Sequence, residues 1–333
     1  MKNQVTIKTI ASQLKISVST VSRALKNNPR IGHKTREQVK SLALKLNYSP
    51  NIASSMLKAE KTMNIGVIVP TLLEEFFIEI INVFEDYAEK LGYRLHIFQS
   101  RDDQKKQVEI LDYIKRMRMD GVLISLAANT DKYEAFAQLE SFGIPIVFFD
   151  RVPRGFPCFS VKNNIEYGMI EALKFLKNKG IEKVAFINGP GNLESSGDRL
   201  NSYLKGLKTL DMFSSPNLIK SSDLTFESVS ECVKKLLNLE SRPDAIIGFN
   251  DYVSLYAMKI CKDFDLLPNR DMIFVGFGNL PFTAFVNNAP LASIEQFPQK
   301  MGLETIKLLF DRIDGIEDMS KNEKVIETQL IIH

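Results

Sequence analysis

From Asn64 onward the 333-residue chain repeats one alternation, a short β-rich run followed by a stretch of helical period. The runs are "IGVIVP", "YRLHIFQS", "GVLIS", "PIVFFD", "KVAFINGP", "AIIGFN" and "MIFVGFG"; the stretches between them include "FFIEIINVFEDYAEKLG" and "YVSLYAMKICKDFD". Strands that alternate with helices form parallel sheets with helices as the covering layers. The pattern restarts near Tyr167 and covers about twice the length of one doubly wound unit. An α/β class with two similar lobes is the consequence, and the space between lobes is the natural place for a ligand.

The first sixty residues obey a different rule. Residues 1 to 61 hold twelve Lys or Arg against Glu37 and Glu60, a formal +10, while the remainder holds 31 basic and 38 acidic side chains, a formal −7. A small basic head on a mildly acidic body is the footprint of a polyanion-binding module joined to something else. Thr6 precedes a helical pattern of Ile7, Ile10, Ala11 and Leu14; a tight turn comes next at Lys15 and Ile16; Ser17 stands where it caps a second helix. Two short helices joined by so few residues make a helix-turn-helix, whose second helix enters the DNA major groove. In "ISVSTVSRAL" the residues Val18, Ser19, Ser22 and Arg23 share one arc, opposite Val21, Ala24 and Leu25. Arg23 offers the paired donors that guanine accepts, and Val18 can touch a thymine methyl. A third helix over Lys34 to Leu46 supplies Val39, Leu42, Ala43 and Leu46 to a three-helix core, and its basic residues suit phosphate contacts.

The stretch "TIKTIASQLKISVSTVSRALKNN…KTREQVKSLALKLNYSPN" resembles the DNA-binding headpiece of the lactose-repressor (LacI/GalR) family of bacterial transcription regulators. The resemblance rests on T-V-S-R, K-T-R-E and L-N-Y-x-P-N and runs without a gap; Lys15 departs from the family's usual glycine in the turn. It implies DNA contacts at Thr6, Ser17, Val18, Ser19, Thr20, Ser22, Arg23, Asn27, Lys34, Thr35, Arg36, Tyr48 and Asn51. It also implies a hinge helix in "NIASSMLKAEKTMN" that folds on DNA, with Leu57 as the minor-groove wedge and Lys58 beside it. The expected layout is a three-helix headpiece over 1–50, a hinge helix and linker over 51–63, and a two-lobed core over 64–333. Within that core the first lobe is expected to take about 64–162 plus 293–318, and the second about 163–292 plus 319–333.

In open α/β sheets ligands lie beyond the carboxyl ends of the strands. Beyond those ends the chain places Phe76 and Phe77, Asp150-Arg151, Arg199, Asn250-Asp251, Gly278-Asn279 and Gln296. Aromatic faces with charged forks and amides suit a polyhydroxylated or anionic small molecule. The resemblance extends more loosely over "PTLLEEFF", "FFDR", "GP…RLNSYLKGL", "FNDYVSLYAMK" and "VGFGN", which are similar to a core shared with periplasmic sugar-binding proteins. It implies effector contacts at Phe77 as the stacking aromatic, Arg151, Arg199, Asn250 and Gln296. Gly278 stands where many members have a hydroxyl-binding aspartate, and Asn163 replaces another common aspartate. These departures point away from a simple neutral sugar and toward an acidic sugar or sugar phosphate balanced by Arg151 and Arg199.

The function expected is a homodimeric, sequence-specific DNA-binding regulator, a repressor by preference, whose operator affinity a small effector controls. The dimer face is expected around Phe84 to Gly92 and Gln107 to Met119. The rival is an α/β enzyme on sugars or nucleotides with a DNA-binding head, but the chain lacks G-x-x-x-x-G-K-[ST] and G-x-S-x-G, and "GPGNLESSG" lacks the phosphate-loop lysine. A plain solute-binding protein is disfavoured by the basic head. Cys158, Cys232 and Cys261 are expected as reduced, buried thiols; they and the scattered His33, His96 and His333 suggest no metal site, and no cofactor is expected. No run approaches the roughly 18 apolar residues of a membrane span and no signal-peptide pattern opens the chain, so a cytoplasmic protein without a membrane partner is expected.

Overall fold

The structure, a computed structural model, describes residues 5–48, 61–128, 130–316 and 322–333. Residues 1–62 and 63–333 are two compact units.

The first unit contains helices α1 (Ile7–Leu14), α2 (Val18–Leu25) and α3 (His33–Lys45). Their apolar faces meet in a core of Ile10, Ala11, Val21, Ala24, Val39 and Ala43, with Leu14, Leu42, Leu46 and Tyr48 packed around it. Small residues at Ala11, Ala24 and Ala43 let three short helices approach closely, as so small a core requires. Ser17 caps α2 as expected: its Oγ accepts from the Thr20 N–H at 3.0 Å. Lys15, which ends α1, adopts φ 51°, ψ 40°, the left-handed region that glycine enters most easily.

The second unit holds two six-stranded sheets. Their strands are β1 (Asn64–Val69), β2 (Arg94–Gln99), β3 (Gly121–Ile124), β4 (Ile146–Phe149), β5 (Phe159–Asn164), β6 (Val184–Asn188), β7 (Ile219–Ser221), β8 (Ala245–Gly248), β9 (Ile273–Phe277), β10 (Ala292–Glu295), β11 (Glu323–Glu327) and β12 (Gln329–Ile332). The helices are α4 (Glu75–Lys90), α5 (Gln104–Met117), α6 (Glu134–Ser141), α7 (Ile165–Asn178), α8 (Glu194–Thr209), α9 (Phe226–Leu237), α10 (Asp251–Lys262) and α11 (Pro298–Ile313). The orders are β11-β5-β4-β3-β1-β2 and β12-β10-β9-β8-β6-β7, and every pairing is parallel except β10 with β12. Central strands β3, β4, β6 and β8 are buried along their whole length, which their unbroken apolar runs require.

The strand pairing corrects the expected division of the C-terminal stretch. Residues 319–333 do not join the second lobe together: β11 pairs with β5 in the first sheet, and only β12 enters the second. Likewise β10, residues 292–295, completes the second sheet, while α11 packs on α4 and on β3, β4 and β5 of the first. The chain therefore passes between lobes at 164–165, at 296–297 and at Thr328. Hydrogen bonds tie these passages together. Thr328 Oγ1 donates to the Asn164 carbonyl at 2.7 Å and accepts from the Gly168 N–H at 2.9 Å. Asn163 Nδ2 donates to the Gln296 carbonyl at 2.8 Å, a bond that the family's aspartate could not make. Cys232 and Cys261 are buried free thiols as expected, but Cys158 is only half-buried.

Candidate functional site

On α2, Val18, Ser19 and Arg23 are exposed beside half-buried Thr20 and Ser22, while Val21 and Ala24 are fully buried. The helix thus presents one polar arc with its opposite face anchored. Ser17 Oγ lies 2.8 Å from both Ser19 Oγ and Thr20 Oγ1, so the three hydroxyls form one hydrogen-bonded cluster at the helix start. Thr6 is exposed at the start of α1, where its N–H donates to Thr9 Oγ1 at 3.3 Å. Asn27 and Lys34 are exposed, Thr35 half-buried. Two other residues have structural work: Arg36 donates to the Asn27 carbonyl at 3.4 Å, and Tyr48 packs on the headpiece core. Asn51, Leu57 and Lys58 lie outside the described residues.

In the second unit the carboxyl ends of both sheets open on a cleft of about 690 Å³, its mouth included. It gathers Phe76, Arg151, Arg199, Asn250, Gly278 and Gln296 from the residues expected there. Three expected residues do not reach it, among them Asn279, whose Nδ2 donates to Glu295 Oε2 at 2.8 Å. Phe77 is 1% exposed and packs edge-on against Phe149, so its neighbour Phe76 is the aromatic that lines the cleft. Asp251 is fully buried: it accepts from Ser293 Oγ at 2.6 Å and from the Leu280 N–H at 2.7 Å, fixing the loop after β9. A side chain at Gly276 would place Cβ 1.8 Å from Asp251 Oδ1, which makes glycine the only residue compatible with that clasp.

The cleft residues are held from below. Arg199 is 7% exposed, donates to the Phe249 carbonyl at 2.8 Å, and has its guanidinium carbon 4.0 Å and 4.1 Å from the ring centres of Phe249 and Phe277. Its Nε is buried without a hydrogen-bond partner. Burial pulls its pKa down to about 10, against the attraction of Asp150 and Glu74, so it stays cationic at neutral pH. Arg151 pairs with Asp102 at 2.5 Å. Asn250 Oδ1 accepts from the Val253 N–H at 2.9 Å and caps α10. Gln296 Nε2 donates to Asn163 Oδ1 at 3.3 Å.

Two carboxylates line the same cleft: Asp150, which the sequence placed there beside Arg151, and Glu74, which it did not assign. Burial raises the pKa of both, against the pull of Arg151 and Arg199. Glu74 keeps solvent access at the mouth, whereas Asp150 is enclosed more deeply, with φ 60° and a 3.3 Å bond from Ser125 Oγ. Across the cleft Leu193, Leu224, Phe249, Tyr252, Phe277 and Leu280 form an apolar wall. The position of Asp150 at the end of β4 was the available signal for it; nothing local marks Glu74 or Leu224. A larger hollow of about 1630 Å³ lies beside Asp150, and its walls carry Arg154 of the first lobe in ion pairs with Glu194 and Asp198 of α8. Because those charges already satisfy one another, the smaller cleft with its unpaired groups is the better ligand site. Among the described residues no cluster of His, Cys, Asp and Glu could hold a metal, and no helix is long and apolar enough to cross a membrane.

Comparison with known proteins gives a consistent result. Residues 6–51 match the family profile described as bacterial regulatory proteins, lacI family, and residues 62–333 match that of periplasmic binding proteins and sugar binding domain of LacI family. The HTH-type transcriptional repressor PurR of Aliivibrio salmonicida is 28% identical over 92% of each chain. The repressor CytR of Escherichia coli K12 is 28% identical over 98% of this chain and 95% of its own. The fold is shared with the Lac repressor dimer bound to operator and an anti-inducer, at 22% identity, TM-score 0.86 and coverage of 99% and 98%. It is also shared with a complex of the regulator CelR with cellobiose, at 23% identity and TM-score 0.73, covering 99% of both chains. With a second helix that exposes one face, a cleft between two parallel-sheet lobes, and family profiles matched over both units, this chain belongs to the LacI family of bacterial regulatory proteins.

Proposed function

We propose that the chain is a transcriptional repressor that binds operator DNA as a homodimer and changes its affinity when a small polar effector enters the cleft. The observation that carries the reading is α2, whose Val18, Ser19, Ser22 and Arg23 face outward while Val21 and Ala24 anchor the opposite side. The named relatives are repressors, which favours this sign of regulation. Thr6, Ser17, Thr20, Asn27, Lys34, Thr35, Arg36 and Tyr48 serve as positioning or phosphate contacts; the family resemblance adds Asn51 to them and assigns Leu57 with Lys58 to the minor groove. Ligand acts through differential affinity for two lobe arrangements, and the passages at Asn164, Gln296 and Thr328 are where the chain bends. The cleft binds and does not turn over its ligand.

Dimerisation places two headpieces on two half-sites. The edge of the first lobe at β2 and α5 is proposed for it, where Ile97 and the i, i+4 pair Tyr113 and Met117 are 42–49% exposed. Large apolar side chains grouped on one face are what an obligate dimer buries.

Selection of the full chain against randomised duplexes tests the reading. A two-fold symmetric consensus is expected, with affinity falling steeply in salt as counterions are released. Arg23→Ala should lose about 1–3 kcal/mol of discrimination, roughly 5- to 150-fold, at one base of each half-site. Equal affinity for every duplex, in the wild type, would refute the proposal.

A further inference from the structure

Resting on the reading of this cleft as the effector site, we infer that its ligand is an amine-bearing polyol of monosaccharide size, not the acidic sugar or sugar phosphate that the sequence suggested. The charge of the first-lobe wall decides the matter. Glu74, Glu75 and Asp150 line it, and the two guanidiniums that offset them in part, Arg151 and Arg199, each also hold a second partner. Arg151 is paired with Asp102 at 2.5 Å, and Arg199 is spent on the Phe249 carbonyl and two ring faces. With three carboxylates on this wall against the two guanidiniums, a phosphate or carboxylate entering here adds negative charge to a lining that already has an excess of it.

The same wall is short of donors. The Glu74 carboxylate has no hydrogen bond or ion pair among the described residues, and that of Asp150 accepts only the 3.3 Å bond from Ser125 Oγ. A protonated amine is the group that satisfies such carboxylates, bringing three donors and a compensating charge. The enclosure of Asp150 makes a cationic partner more valuable there than it would be in water. One acceptor is also wanted, because the buried Arg199 Nε has no partner; a ligand hydroxyl oxygen supplies it. Gly278, at φ +113°, would bring a Cβ within 4 Å of Leu280 and Asp251 atoms alone, so the far wall is left bare of the usual carboxylate. An apolar sugar face then rests on Leu224, Tyr252 and Leu280. Amine toward Glu74 and Asp150, one hydroxyl toward Arg199 and a carbon face against Leu224, Tyr252 and Leu280 is the orientation these walls impose.

The test uses the full chain and a matched panel: glucosamine, galactosamine and mannosamine, their neutral parents, their uronates and their 6-phosphates. Thermal shift at about 10 mM, then calorimetry, reads the binding. The expected result is a melting shift with at least one aminated sugar, bound about tenfold more tightly than its neutral parent, and none with the anions. Glu74→Gln should bring the ratio of amine to parent close to one, and Arg199→Gln should abolish every shift. An anionic member that binds as well as its aminated counterpart, or no shift with any aminated sugar, overturns the inference. If anion binding is lost in Arg199→Gln, the cleft remains the effector site and only its charge preference is wrong. A shift that survives Arg199→Gln intact would instead overturn the assignment of the cleft itself.

Discussion

In the headpiece the groups proposed to read DNA, Val18 to Arg23, lie within six consecutive residues on one helix, and six buried side chains hold that helix in place. In the core the cleft gathers residues from Glu74 to Gln296, supplied by the ends of strands in two sheets, over four separate apolar clusters. The contrast shows two ways of making a site. A local site needs only one helix and a minimal core, so it takes little sequence and is vulnerable in stability. A site assembled over about 220 residues of chain needs large cores to position it, and those cores let it hold groups that are unfavourable on their own.

The largest effect is expected from damage to the headpiece core. Val21 is fully buried in the headpiece. Val21→Asp places an unpaired carboxyl there, at a penalty of several kcal/mol that so small a domain cannot absorb. Differential scanning calorimetry of the full chain should lose the headpiece transition and keep that of the core, and operator binding should disappear. A core melting point that drops with it would mean that the two units do not fold independently.

A smaller effect is expected in the core, and with the opposite sign. Burial raises the Asp150 pKa more than Arg151 and Arg199 lower it, so the ionised form is held in the fold at a loss. A carboxyl whose pKa is higher folded than unfolded favours the folded state at low pH, and that contribution is lost as pH rises through the folded value. Asp150→Asn should therefore raise the melting temperature of the ligand-free core at pH 7.5, by about 2–4 °C per kcal/mol gained. The gain should shrink as pH falls through the raised pKa and vanish below the unfolded value of about 3.9. A lower melting temperature at pH 7.5 would show that Asp150 serves chiefly to hold the two guanidiniums.

How much of this was legible in the sequence tracks the same local and non-local divide. The Ser17 cap, the Val21 and Ala24 anchor and the tight turn at Lys15 depend on neighbours within a few residues, and all were readable there. Phe76 and Phe77 look alike in sequence but stand about 100° apart on α4. Phe77 continues the buried stripe of Ile80, Ile81, Phe84 and Ala88, so the helical period carries the distinction, whereas the family resemblance points to the wrong ring. The division of β11 from β12 had no such signal. "EKVIETQLII" reads as extended chain in either lobe, and only the pairing of β11 with β5 and of β12 with β10 assigns its halves. Glu74 was silent for the same reason: its charged neighbours in the cleft, Arg151, Asp150 and Arg199, lie 76 or more positions away in sequence.

The smallest effect comes from the Lys15 turn and sharpens the comparison most finely. Lys15 holds φ 51°, ψ 40° at the end of α1, with its N–H donated to the Ser12 carbonyl at 3.2 Å and the Ile16 N–H to Ala11 at 3.0 Å. A side chain in the left-handed region is unfavourable by roughly 1 kcal/mol relative to glycine, but glycine also gives the unfolded chain more freedom, which returns about 0.4–1 kcal/mol. The net gain expected for Lys15→Gly is therefore at most about 0.5 kcal/mol, or about 2–4 °C in a domain of this size. The core transition should not move, because the turn contributes nothing to the four clusters of the second unit. The substitution also removes one positive charge from the head. If Lys15 lies on a phosphate, the salt slope of operator binding falls by about one; if it is only a turn residue, the slope stays and the melting shift stands alone. A headpiece destabilised by Lys15→Gly would show that lysine makes contacts in the folded turn that outweigh its backbone strain.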